Sequence, residues 1–170
     1  MRVIAGRLRG RRIEVPRGDR VRPTYDRVRE SLFAIIGARL RDARVLDLFA
    51  GSGSLGIESL SRGAALATFV ERDGRVRATL ERNVEVLGLG DVATVVAGDA
   101  VWRLGRPLPG EPFDVAFLDP PYGSGLADEA LVLLTGGGHL APDALVVVEH
   151  RAEHELPPVA GLRCARRERY

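Results

Sequence analysis

Val45-Leu46-Asp47-Leu48-Phe49-Ala50-Gly51-Ser52-Gly53-Ser54-Leu55-Gly56 runs from an apolar stretch into a glycine-rich loop and on toward a helix. Gly51, Gly53 and Gly56 match the G-x-G-x-x-G spacing, and Glu71 stands twenty residues after Gly51. That pattern is the fingerprint of a loop that approaches a nucleoside ligand, with the later carboxylate accepting from ribose hydroxyls. NAD and S-adenosylmethionine share the adenosine geometry, so the loop by itself leaves the choice between them open.

Outward from this loop the pattern alternates. Strand Val45 to Phe49, helix near Ser54 to Ser61, strand Leu66 to Val70 and helix near Arg75 to Leu87 come first, the last with Val76, Leu80, Val84 and Leu87 as its buried stripe. Strands Ala93 to Ala97, Asp114 to Leu118 and Ala144 to Val148 follow, with a helix near Leu126 to Leu134 stopped by Gly136-Gly137-Gly138. Strands that are nearly continuous apolar runs are buried on both faces. The predicted fold is therefore α/β, a Rossmann-like, doubly wound, mostly parallel sheet.

Upstream, Arg2 to Gly6 and Arg11 to Val15 are short β-rich stretches around Arg7-Leu8-Arg9-Gly10, read as an Arg-rich β-hairpin closed off by Pro16. It reads as an appendage without a core of its own, so residues 1–23 form a basic extension and 24–170 the α/β domain. After Pro23 and Thr24, Val28, Leu32, Ile35 and Ile36 recur at helical spacing, with Arg27, Arg29 and Arg39 directed elsewhere. The expectation is a helix that docks one face and displays arginines on the other.

A length of 170 residues with 45% apolar content suits a single core. All 25 basic residues are Arg, so a Walker phosphate loop, a Schiff-base lysine and a kinase-type lysine are chemically impossible. Cys164 stands alone and no long apolar stretch is present, which points to a reducing cytoplasm and no membrane partner. The net charge of +2 hides a polarity: residues 1–44 hold 13 Arg against five acids, and 45–170 hold 12 Arg against 18 acids. A basic front suits a polyanion, nucleic acid above all, because guanidinium groups displace counterions from phosphates. The other reading is a solvated basic face.

Asp47, Glu71, Asp99 and Asp119 each lie at or just past the carboxyl end of a predicted strand. In an open parallel sheet those ends share one edge and the ligand crevice lies outside it, so four acids distant in sequence would line one site. Singly, each could be a helix cap or a turn residue.

Asp119-Pro120-Pro121-Tyr122 closes the strand that ends at Leu118. An exocyclic amine on a nucleobase has its lone pair delocalised into the ring and is a poor nucleophile. The Asp119 carboxylate and the Pro120 carbonyl can each accept one of its N–H groups, favouring a pyramidal nitrogen whose lone pair faces a methyl sulfonium. Proline rigidity fixes that carbonyl, and Tyr122, one of three Tyr, offers a face on which an extruded base stacks. No metal is needed.

Asp47-Leu48-Phe49-Ala50-Gly51-Ser52-Gly53 resembles the cofactor motif of class I S-adenosylmethionine-dependent methyltransferases, and Asp119-Pro120-Pro121-Tyr122 the [DNS]-P-P-[YFW] motif of their amino-directed branch. Arg22-Pro23-Thr24-Tyr25-Asp26-Arg27-Val28-Arg29-Glu30-Ser31-Leu32-Phe33, after the basic hairpin, is similar to bacterial 16S rRNA guanine-N2 methyltransferases. The resemblance implies S-adenosylmethionine as cofactor and, as partner, 16S rRNA or a small ribosomal subunit particle, acted on by a monomer. It places Asp47 and the Phe49, Ala50, Gly51, Gly53 loop at the methionine portion, Glu71 at the ribose, and Asp99 with Ala100 at the adenine, with Arg72 also at the cofactor. Thr24 and Arg29 would close over the cofactor, and Arg7, Arg9, Arg11, Arg12 and Arg22 would meet the RNA. Those roles are the family's. Three rival readings are a DNA amino-methyltransferase, for whose target-recognition segment there is no room, an NAD(P)-dependent oxidoreductase, which would leave Asp119 to Tyr122 without a task, and a catalytically silent RNA-binding module on the hairpin, against which the intact Asp119 to Tyr122 segment speaks.

The resemblance also implies a closing hairpin, of which Leu162 to Tyr170 can supply only the sixth strand. The inserting strand is missing from that count, and the expectation is a truncated sequence or a sheet edge open to another chain. His150-Arg151-Ala152-Glu153-His154 fits a zinc-protease pattern but runs from a strand into Pro157-Pro158 rather than along a helix. His139 has no partner at ligand spacing. Trp102 is expected to pack under a connecting helix, and Cys164 to be inert.

Overall fold

The computed structural model describes residues 1–16, 23–121 and 123–170. Its strands are β1 (Arg44–Asp47), β2 (Leu66–Glu71), β3 (Ala93–Ala97), β4 (Phe113–Leu118) and β5 (Leu140–Val148); its α-helices are α1 (Pro23–Ile36), α2 (Ser54–Ser61), α3 (Gly74–Val86), α4 (Ala100–Leu104) and α5 (Leu126–Gly136). The strands form one sheet in the order β3-β2-β1-β4-β5, every pair parallel, as the unbroken apolar runs require.

Successive strand residues face opposite sides. Val45, Ala67, Phe69, Val115 and Phe117 pack with Phe33 of α1, Ile57 and Leu60 of α2, and Leu80 and Val84 of α3. Leu46, Val70, Ala116 and Leu118 pack instead with Ala100 and Leu104 of α4 and with Ala130, Leu131 and Leu134 of α5. The sheet is thus wound on both faces. No helix among the described residues is long and apolar enough to cross a membrane.

The N-terminal stretch is built into this body, contrary to the expected appendage. The expected hairpin pairs over a shorter span: Arg2 bridges Arg12 antiparallel, flanked by Val3 N–H on the Arg11 carbonyl (3.0 Å) and Ile13 N–H on the Met1 carbonyl (3.0 Å). Val3, Leu8 and Ile13 are buried in the core shared by α1, α2 and α3. Glu58 of α2, fully buried, accepts from the backbone N–H groups of Ile4 (2.7 Å) and Ala5 (3.0 Å), and its charge is matched by Arg62 Nε at 2.7 Å. Asn83 of α3 bonds both backbone groups of Glu14, receiving from its N–H (2.8 Å) and donating to its carbonyl (2.9 Å). With the apolar side chains inward, Arg7, Arg9, Arg11 and Arg12 are left exposed.

Other differences have local causes. The inward face of α1 carries Arg29, Phe33 and Ile36, whereas Ile35 is 39% exposed, because the Phe33 ring meets Phe117 at 5.9 Å and turns the helix away from the predicted stripe. Arg29 is thereby buried rather than displayed. α4 was not predicted; the Asp99 carboxylate caps it by accepting from the Trp102 N–H at 3.2 Å. Trp102 itself is 52% exposed, with the guanidinium carbons of Arg103 and Arg106 4.9 and 3.8 Å from its ring centre, so it does not pack under a helix.

No described residue after Val148 is in a strand, so the expected sixth strand over Leu162 to Tyr170 does not form. Leu156, Val159 and Leu162 lie as irregular chain against the α4 and α5 side of the core instead, and β5 is an outer strand of the sheet. His150 and His154 sit in that irregular chain, His154 bonded to Asp128 at 2.9 Å. His139 is buried, with Nδ1 2.6 Å from Glu111 and Nε2 2.9 Å from the Leu104 carbonyl.

Because Ile13 is fully buried, Ile13→Ala should lower unfolding free energy by about 2–5 kcal/mol in a denaturant titration. A loosely attached hairpin would leave the midpoint unchanged.

Candidate active site at the carboxyl edge of the sheet

Parallel pairing carries Asp47, Glu71 and Asp119 to one edge, and Gly98 leads Asp99 to the same edge. The chain departs in opposite directions on either side of β1, and a crevice opens there. It has a volume of about 310 Å³ and is walled by Phe49, Gly51, Glu71, Arg72, Ala100, Asp119, Pro120 and Pro121, eight of the predicted site residues. That is the size of a small-molecule site.

The remaining predicted residues stand elsewhere. Asp47 lies beneath the loop, Ala50 is buried with its N–H on the Val70 carbonyl (3.0 Å), and Asp99 caps α4. Arg29 belongs to a second, narrower cleft. Thr24 is in the first turn of α1, whose side chains there fall outside the description, and Arg22 and Tyr122 lie outside the described residues.

The three loop glycines serve different ends. Gly51 has φ +54°, and a Cβ there would meet no protein atom within 4 Å, so its bare backbone faces the crevice. A Cβ on Gly56 would come within 2.3 Å of the Phe69 ring, and one on Gly53 within 2.4 Å of Leu80. These two let α2 and its approach lie tight on the sheet. Glu71 ties the loop to β2, one carboxylate oxygen accepting from Gly51 N–H (2.9 Å) and the other from Asp73 N–H (2.8 Å). A carboxylate has about four acceptor positions, so outward lone pairs remain.

Asp119 also walls the narrower cleft, of about 30 Å³, together with Arg29, Glu149 and the apolar side chains of Val28, Leu32, Leu55, Phe117, Leu118 and Val147. Glu149 was passed over in the sequence. It follows Val148 as Asp119 follows Leu118, and its N–H continues the ladder to the Leu118 carbonyl at 2.8 Å, so the strand-end rule extended to β5 would have found it.

Burial pushes the Asp47 carboxyl up to about 8, and the nearby charges of Asp119 and Glu71 push the same way, against the hydrogen bond it accepts from Gly56 N–H at 3.0 Å. The folded chain therefore keeps a proton that the unfolded chain releases above its ordinary value of 3.8. Stability contributed by that proton is lost as pH rises from about 4 through about 8 and changes no further above it. Asp47→Asn retains the oxygen that faces Gly56 and should flatten the fall in denaturation midpoint between about pH 5 and pH 8.

The family model described as Conserved hypothetical protein 95 matches residues 1–170. The chain is 45% identical over 159 residues to Ribosomal RNA small subunit methyltransferase D of Escherichia coli strain K12, covering 94% of this chain and 79% of that protein. It is 41% identical over 157 residues to the protein of the same name from Haemophilus influenzae, covering 92% and 81%. Among solved structures, the Escherichia coli yhhF protein, described provisionally as a methyltransferase, superposes with a TM-score of 0.89 at 44% identity, covering all of this chain and 91% of that one. Sequence and fold agree from end to end: the chain belongs to the Conserved hypothetical protein 95 family, alongside the small subunit methyltransferases D.

Proposed function

We propose that this protein transfers a methyl group from S-adenosylmethionine to the exocyclic N2 amine of a guanine in 16S rRNA, as free RNA or within a small-subunit particle. The observation that carries the proposal is the position of Asp119, the first residue after β4, on the wall of the crevice that the Gly51 loop also lines. The relatives' name supplies the rRNA.

The crevice fits the cofactor. Gly51 presents backbone without a side chain, Glu71 has acceptor positions left for a ribose, and Ala100 offers a small apolar wall. When bound, S-adenosylmethionine supplies an electrophilic methyl carbon on a sulfonium. Asp119 and the Pro120 carbonyl accept the two N–H groups of the amine and hold its lone pair toward that carbon. Held this way, the amine nitrogen would take the methyl carbon as its bond to sulfur breaks, and the surplus amine proton would pass to solvent. Arg72 walls the crevice, and Asp47 steadies the loop from below.

The exposed Arg7, Arg9, Arg11 and Arg12, on a segment anchored by Glu58 and Asn83, form a fixed basic surface for the RNA backbone.

Asp119→Ala should abolish methyl transfer while leaving S-adenosylmethionine affinity within a few fold, measured by calorimetry beside a labelled-methyl assay on small subunits, naked rRNA and DNA with nucleoside analysis. Loss of both together would assign Asp119 to the cofactor, and label on DNA would overturn the rRNA reading. Replacing the four exposed arginines with Ala should weaken RNA binding and reduce the slope of log affinity against log salt by up to about 3.

A further inference from the structure

The crevice and the narrow cleft share one wall residue, Asp119. We infer that Glu149 and Arg29 select guanine, Glu149 accepting the N1–H and Arg29 donating to O6 of the base whose amine meets Asp119. This rests on the methyl-transfer reading above and adds the recognition of the acceptor base.

The edge of guanine presents an acceptor, O6, and then two donors, N1–H and the N2 amine. Adenine and cytosine carry a ring-nitrogen lone pair where guanine carries N1–H. An ionised carboxylate accepts only, so Glu149 beside Asp119 welcomes two adjacent donors and repels a lone pair.

Arg29 meets the other requirement. Its Nη1 donates to Met1 Sδ at 3.0 Å, and its Nη2 to the Arg2 carbonyl at 2.6 Å and to Asp26 at 3.2 Å. Its Nε is the buried side-chain polar atom that has no hydrogen-bond partner among the described residues. A buried donor without an acceptor is unfavourable until something supplies one, and in this proposal the base carbonyl does so once the side chains covering Nε part. The rest of the lining is apolar, and its free space of about 30 Å³ admits a projecting carbonyl oxygen rather than a whole ring.

The test uses 2-aminopurine, which keeps the 2-amino group but lacks O6 and bears a lone pair at N1. Small subunits are reconstituted on rRNA carrying it in place of the guanine that takes label, and kcat/KM is compared for the two particles. The full-length protein should prefer guanine by about 100-fold or more, since a site built to bond a group rejects an analogue lacking it. E149Q, whose amide presents either an acceptor or a donor, should lower turnover of guanine and raise that of 2-aminopurine, shrinking the preference to about 10-fold or less. E149A, as a second variant, should shrink it too. A role confined to folding would depress both substrates equally and overturn the inference. So would equal use of the two substrates by the unaltered protein, or an undiminished preference in both variants. Transfer to neither particle would overturn the methyltransferase reading itself, and this one with it.

Discussion

Phe69 lies against a backbone that has no side chain. The 2.3 Å that would separate its ring from a Cβ on Gly56 leaves no room for alanine, and that absence lets α2 seat directly on β2. From that seat much else follows. The Gly56 N–H reaches the Asp47 carboxyl, Gly51 reaches Glu71, and the loop between them lies open along the edge of the sheet. A larger residue at Gly56 would displace α2, and with it both the floor of the crevice and the anchor of the N-terminal segment. Overpacking of such a contact typically costs about 1–3 kcal/mol.

The same helix organises the opposite end. Glu58 and Ser61 of α2 hold residues 4–8 through their side chains, while Gly53, just ahead of α2, approaches Leu80 of α3. A buried carboxylate is tolerated when it is paired and fully bonded, and Glu58 meets both conditions through two backbone donors and Arg62. The chain thereby couples a surface rich in arginine to the ligand crevice through one two-turn helix. The basic surface is a rigid extension of the core.

Much of this was legible in the residues. Apolar runs of strand length, glycine stops and the recurrence of acids at strand ends were enough for the five parallel strands and their crowded edge, because each depends on local periodicity or on a rule of parallel topology. What was not legible depended on contacts distant in sequence. Arg29 is drawn inward by the sulfur of Met1 and the carbonyl of Arg2, partners no helical wheel reveals. Val3, Leu8 and Ile13 alternate too briefly to announce a core, and become one only when three helices cover them. Asp99 was legible as a strand-end acid but also ends as a helix cap, which one residue can do at once.

Trp102 is the only tryptophan in the chain, and it stands half in solvent on α4, flanked by two guanidinium groups. An indole already wet in the native state changes little in colour when the chain unfolds, so intrinsic emission is a dull thermometer for this protein. Two residues from Ala100 along a helix, it points away from the crevice wall, so its light reports on the outer face of α4 rather than on what enters the site.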